Sequence, residues 1–184
     1  MKIAGICGSL RRGSFNRMLL LEAGRLLPDG VSMDVLEIRD LPLYDQDVEA
    51  AGEPGSVKAF KAGLAGADAL LFATPEYNYS LPGVLKNAID WASRPPATSP
   101  LNGKPAAVIG ASGGTGGTIR AQHHLRQVAV FTNTLFLNKP EVLVAKAQDK
   151  FEANGALKDE ATRAHLRKLV AALVTWTNLV GGKS

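Results

Sequence analysis

The 184-residue chain carries a formal net charge of +4, with 46% hydrophobic and 21% charged residues, the balance of one folded domain over residues 1–184 rather than of a disordered chain or a membrane span. Its lysines and arginines are scattered and not interleaved with aromatics, which argues against a nucleic-acid partner. Cys7 is the only cysteine, so no intrachain disulfide forms, and with no charged leader at the start the expected compartment is the cytoplasm.

In chain order, "KIAGIC" (2–7) reads as a buried strand in which Cys7 is a small apolar filler. The polar stretch "GSLRRGSFN" (8–16) leads into "FNRMLLLEAGRLL" (15–27), which has the length and apolar repeat of a helix ended by "PDG". "VSMDVLEI" (31–38) alternates like a second strand, and "RDLPLYDQDVEAAGEPG" (39–55), rich in breakers and acids, reads as a long surface loop. "SVKAFKAGLAGA" (56–67) is a short helix, "DALLFAT" (68–74) a buried strand, and "PGVLKNAIDWAS" (82–93) a helix with Pro82 in its first turn. "KPAAVIGAS" (104–112) is the fourth strand, "IRAQHHLRQVAVF" (119–131) a helix, and "TLFLNKPEVLVA" (134–145) a last strand interrupted by proline. Over 157–180, Leu166, Leu169, Val170, Leu173, Val174 and Trp176 recur at helical spacing, giving an amphipathic terminal helix.

Five strands alternating with helices predict an α/β fold with a parallel sheet covered on both faces, and such sheets bind ligands beyond the carboxyl ends of their strands. The loops after strands one, three and four fall at that edge. The first has glycines for tight turns, a helix start with unpaired amides, and donors on Ser9, Arg11, Ser14 and Asn16. It lacks the lysine of a triphosphate loop and the spacing of a dinucleotide loop, so by itself it is either an anion cradle or a helix capped by Ser14 beside exposed arginines.

The second, "PEYNYSLPG" (75–83), concentrates aromatic and amide groups suited to a planar ligand, or is a turn with two surface tyrosines. Glu76 has no paired carboxylate and reads as a positioning residue that accepts hydrogen bonds. The third, "GASGGTGG" (110–117), lets the chain approach a flat ring closely, or is a flexible connector. His123 and His124 are adjacent and project apart, with His165 in the terminal helix, so no metal site is expected. No G-x-S-x-G elbow marks a hydrolase.

Taken together, "GSLRRGSFN", "TPEYNYSLPGVLKNAIDWASRP", "ASGGTGGTIRAQHHLRQ" and "LNKPE" resemble the NAD(P)H-dependent FMN reductases of flavodoxin-like fold, especially their bacterial quinone and chromate reductase branch. The resemblance implies a three-layer sandwich with strand order 2-1-3-4-5. It implies that Ser9, Arg11, Ser14, Phe15 and Asn16 hold the FMN phosphate end, that Glu76, Tyr77, Asn78 and Tyr79 border the isoalloxazine ring, and that Ser112, Gly113 and Gly114 close the opposite side.

It further implies a ping-pong exchange, with NAD(P)H as co-substrate and a quinone, chromate, an azo compound or free flavin as small-molecule acceptor, and with no side chain acting as acid or base. A homodimer or homotetramer is implied, with Arg120, His123 and Glu141 as interface candidates. In this chain Thr118 and Ile119 precede Arg120 where relatives commonly have a double glycine, and His123 stands where some carry tyrosine. The competing classes are a non-enzymatic flavodoxin-type electron carrier, which is usually strongly acidic, and a scaffold with a vestigial flavin fold.

Overall fold

A computed structural model describes residues 1–181; the last three positions of the expected 1–184 domain lie outside the described residues. The apolar runs form strands β1 (Lys2–Cys7), β2 (Ser32–Leu36), β3 (Ala69–Ala73) and β4 (Pro105–Ala111), followed by the short pieces β5 (Leu135–Phe136) and β6 (Val142–Val144). The helices are α1 (Phe15–Arg25), α2 (Gln46–Ala51), α3 (Gly55–Ala65), α4 (Gly83–Ala92), α5 (Ile119–Thr132) and α6 (Glu160–Val180). The strands pair in parallel in the order β2-β1-β3-β4-β5, with β6 also on β4.

Strand alternation divides the core into two layers. Ile3, Cys7, Leu71 and Ile109 face Leu19 and Leu20 of α1 and Leu166, Leu169 and Leu173 of α6. Ala4, Ile6, Leu70, Phe72 and Val108 face Val57 and Phe60 of α3, Leu85 and Trp91 of α4, and Leu125 of α5. β3 and β4 are buried along their whole length, as expected of strands covered on both faces, whereas the edge strand β2 is only half-buried.

Three local expectations change. The segment 39–55 is not loop throughout: Asp45 caps the exposed six-residue α2, accepting from Asp47 N at 2.8 Å. Its first half is strapped to α4, with Asn87 Nδ2 and Trp91 Nε1 both donating to the Pro42 carbonyl at 2.8 Å and Tyr44 edge-on to Trp91. The last strand is split into β5 and β6, both on β4, because Pro140 has no N–H to contribute to a ladder. The terminal helix begins at Glu160 rather than 157, since Leu157 bridges back to Phe151 and Asp159 supplies the cap by accepting from Thr162 N at 2.8 Å.

Candidate functional site

The three polar loops leave β1, β3 and β4 at one edge of the sheet and lie against one another. Gly8 N donates to the Ala73 carbonyl at 2.8 Å. A Cβ on Gly8 would meet Leu85 at 3.1 Å and Pro75 at 3.4 Å, so loop one lies tightly against loop two and α4, and a side chain there would have to displace Leu85 by a few tenths of an ångström.

Ser14 is the N-cap of α1, its backbone extended and its hydroxyl accepting from Arg17 N at 3.2 Å. Its carbonyl accepts from Met18 N, so the amides ahead of Arg17 have no acceptor within the helix and point, with the positive end of the dipole, into the loop. Capping and anion binding are therefore compatible in loop one. Ser9 and Ser14 are buried, while Arg11 and Arg12 are exposed. The Arg11 guanidinium lies 5.4 Å from the Phe15 ring centre, and Phe15 stacks on Phe151. Asn16 is buried; its Nδ2 donates to the Ala111 carbonyl and its Oδ1 accepts from Ala111 N, both at 2.8 Å. Its amide thus stitches loop one to the end of β4.

In loop two, Tyr77 and Ser80 exchange backbone hydrogen bonds of 3.0 and 2.9 Å, closing a two-residue turn on Asn78 (φ 50°) and Tyr79 (φ 66°). Two consecutive left-handed residues make a type I′ turn. Asparagine tolerates that region, but tyrosine there costs roughly 1–2 kcal/mol.

The turn is held from α5. Glu76 accepts from Arg120 N at 3.0 Å, from Ala121 N at 3.3 Å and from Arg120 Nη1 at 3.1 Å. Thr118, the N-cap of α5, makes no side-chain cap bond, so the carboxylate that satisfies this helix start comes from another loop. The Arg120 guanidinium sits 3.9 Å from the Tyr79 ring centre, and His124 Nδ1 lies 2.9 Å from Ser80 Oγ. Tyr77 and Tyr79 are consequently presented outward, 52% and 66% exposed, with Asn78 exposed between them.

Loop three is no loose connector. Ser112 N donates to the Val144 carbonyl, Ala147 N to that of Ser112 and Lys146 N to that of Gly114. A Cβ on Gly110 would fall 1.8 Å from Thr118 Oγ1 and 2.7 Å from the Thr74 carbonyl, so only glycine fits between loops two and three. Gln122, buried, donates to Thr118 Oγ1 at 3.2 Å and to the Val142 carbonyl at 3.0 Å. Gly113 and Gly114 remain exposed.

On the β2 side of loop one is a cavity of about 340 Å³, lined by Arg11, Arg12, Arg17, Arg39 and Glu37 with Cys7 and Ser9 beneath. Arg17 Nη2 pairs with Glu37 Oε1 at 2.8 Å, a hydrogen bond that raises the guanidinium above its usual value, and Arg39 donates to the Leu10 carbonyl. Burial pushes the Cys7 thiol up, so it stays protonated and serves as a weak donor to the Ser9 carbonyl. Sequence reasoning missed Arg17 and Arg39. Arg17 could have been found three positions beyond the Ser14 cap, on the same helix face; Arg39 follows a strand whose partner was unknown.

Arg120 and two of the histidines are engaged locally. Arg120 turns inward on Glu76 and Tyr79, His123 Nε2 lies 3.9 Å from Glu141 Oε1, and His165 Nε2 lies 2.7 Å from the Glu141 carbonyl. The edge thus offers a compact set of anion donors at loop one, an aromatic wall at loop two and open backbone at loop three. That is the donor set for an elongated ligand with a dianion at one end and a planar ring at the other.

Comparison with known proteins agrees. The sequence model described as NADPH-dependent FMN reductase matches residues 1–149. The chain is 52% identical over 182 residues to an NAD(P)H-dependent FMN reductase of Pseudomonas aeruginosa, covering 99% of this chain and 98% of the relative. It is 45% identical over 176 residues to a 2-hydroxy-1,4-benzoquinone reductase of a Burkholderia species, covering 96% of each. Among solved structures, the flavoenzyme NAD(P)H:acceptor oxidoreductase FerB of Paracoccus denitrificans superposes with a TM-score of 0.90 at 38% identity, over 97% of this chain and 98% of that one.

Proposed function

The chain belongs to the NADPH-dependent FMN reductase family and is an FMN-dependent NAD(P)H oxidoreductase, and on that premise we propose which of its residues serve the reaction and which acceptors it takes. The residues present fit FMN: amides at the start of α1, two buried hydroxyls and the exposed Arg11 guanidinium at loop one suit a phosphate, and exposed tyrosines beside glycine backbone suit an uncharged ring. When bound, FMN supplies the two-electron redox chemistry that connects NAD(P)H to an acceptor.

Ser9, Arg11, Ser14 and the amides of Phe15 and Asn16 hold the phosphate, and the Asn16 side chain keeps that cradle fixed on Ala111. Tyr77, Asn78 and Tyr79 border the ring, and Ser112, Gly113 and Gly114 close its other side. Glu76, whose two oxygens accept three bonds from the start of α5, positions loop two and is not a proton carrier. The electron acceptors are quinones, as the names of the relatives suggest, with chromate, azo compounds and free flavin admitted by the same open wall.

The observation that carries the reading is the bonded convergence of three loops at one sheet edge, through Gly8 to Ala73, Asn16 to Ala111 and Glu76 to Arg120. Its test is NADPH oxidation by the purified, FMN-loaded protein with a quinone, ferricyanide or free flavin. Turnover with a quinone is expected; none with any acceptor would leave the electron-carrier reading, and no flavin uptake would leave the scaffold reading.

We propose further that the protein works in the cytoplasm; no helix among the described residues is long and apolar enough to cross a membrane. It assembles as a homodimer or homotetramer, supported by exposed Val130 and Phe131 on α5, the helix that carries Arg120 and His123, near Glu141. Light scattering after gel filtration reads the assembly directly, and a monomer would refute it.

A further inference from the structure

The cavity beside loop one shares Ser9 and Arg11 with the phosphate cradle above, but that scheme leaves its Arg12, Arg17, Arg39 and Glu37 unused. Its lining comes from loop one and the end of β2, on the far side of β1 from β3, and includes none of residues 13–16, 75–80 or 112–117. Four guanidinium groups line it against one carboxylate, Glu37, which Arg17 already neutralises at 2.8 Å. Arg39 is held in place by the Leu10 carbonyl, and among the described residues Arg12 forms no ion pair and is exposed. Each guanidinium has five donors in a fixed fork, so with Arg11 given to the FMN phosphate and Arg17 to Glu37, Arg12 and the remaining donors of Arg39 border a space whose lining offers no further carboxylate.

We propose that this cavity is a phosphate-monoester subsite that takes the 2′-phosphate of NADPH and so discriminates NADPH from NADH. The proposal rests on the oxidoreductase reading. The nicotinamide has to reach the ring between loops two and three, whereas the FMN phosphate lies at loop one. A dinucleotide lying along the flavin therefore brings its adenosine end to the loop-one end, where the arginines converge. The added phosphate of NADPH is a dianion suited to paired guanidinium forks, and NADH has nothing to place there.

The experiment is calorimetric titration of the FMN-loaded protein with adenosine 2′,5′-bisphosphate, adenosine 5′-monophosphate and inorganic phosphate, in the unaltered chain, in Arg12→Ala and in Glu37→Gln. The bisphosphate is expected to bind at least tenfold more tightly than the monophosphate, about the scale of one charge-assisted bond. Arg12→Ala should erase most of that difference, and Glu37→Gln should widen it several-fold by removing the opposing charge, a gain that damage to the fold does not produce.

Equal binding of the two nucleotides by the unaltered chain would overturn the proposal. So would inorganic phosphate binding as tightly as the bisphosphate, which marks a free-phosphate pocket, or loss of flavin absorbance from Arg12→Ala, which assigns the cavity to the FMN phosphate. Failure of the oxidoreductase reading shows separately, as absent flavin uptake or NADPH oxidation by the unaltered chain.

Discussion

Loops one and two emerge side by side from neighbouring strands, yet they are stabilised from opposite directions. Loop one is closed by residues of its own helix: Ser14 caps α1 and Asn16, two positions on, ties it to Ala111. Loop two is held by a helix that begins far downstream, through Arg120 and Ala121 on Glu76, Arg120 over Tyr79 and His124 at Ser80. A helix start already supplies the donors an anion needs, so the donors of a phosphate cradle are local, and only their anchor, Asn16 on Ala111, comes from far along the chain. Presenting two tyrosines outward requires a left-handed backbone that Tyr79 disfavours, so it needs a latch from elsewhere in the fold.

The strongest test of this contrast is Asn16→Ala, which strips the buried N–H and carbonyl of Ala111 of their partners. The loss should be about 3 kcal/mol of stability in urea denaturation, with flavin lost in parallel; an unchanged midpoint would mean that loop one is held otherwise. Next is Arg11→Ala, expected to weaken FMN binding by about 1.5–3 kcal/mol in a fluorescence titration while leaving the flavin-free protein as stable as before. Unchanged affinity would place the phosphate elsewhere.

On the other loop, Glu76→Gln should lower stability by about 1 kcal/mol, because it removes a negative charge from the start of α5. A double-mutant cycle with Arg120→Ala should return a coupling of about 0.5–1 kcal/mol, since Arg120 is half exposed; zero coupling would deny the latch. The smallest expected change in stability belongs to Tyr79→Gly, which relieves roughly 1 kcal/mol of left-handed strain and gives up a cation–π contact of about the same size. Thermal midpoints should barely move while the KM for a quinone rises several-fold, and a KM that stays put would take Tyr79 out of the acceptor wall.

The strand–helix alternation was legible because β1, β3 and β4 are apolar runs bounded by breakers, and α1 and α6 carry clean apolar stripes; the strand order came from the family resemblance alone. The short helix α2 was not legible, since it buries no face and is held by the Asp45 cap and a hydrogen bond from Tyr44 to Glu49. Nor was the division of the last strand, where a proline signals a break but not that both pieces return to β4. At the site, the three loops and their polar residues could be read in order, whereas the partners of Asn16, Glu76 and Arg120 and the place of Arg39 at the β2-side cavity could not. The contacts of Asn16 and Glu76 join residues 44 to 95 positions apart and that of Arg39 joins residues 29 apart, and no local spacing encodes them.

By itself, the amino-acid order determined the main strands and helices, which loops share the carboxyl edge of the sheet, and the donor chemistry of each loop, because periodicity, breakers and side-chain type act over a few residues. Tertiary structure alone decided that Asn16 is a stitch, that Glu76 serves as the cap of α5, and that Arg17 and Arg39 meet Arg12 around one cavity. The physical reason is that hydrogen bonds and ion pairs are short-ranged. Whether a donor faces a ligand or another part of the chain depends on which strand the sheet places beside it.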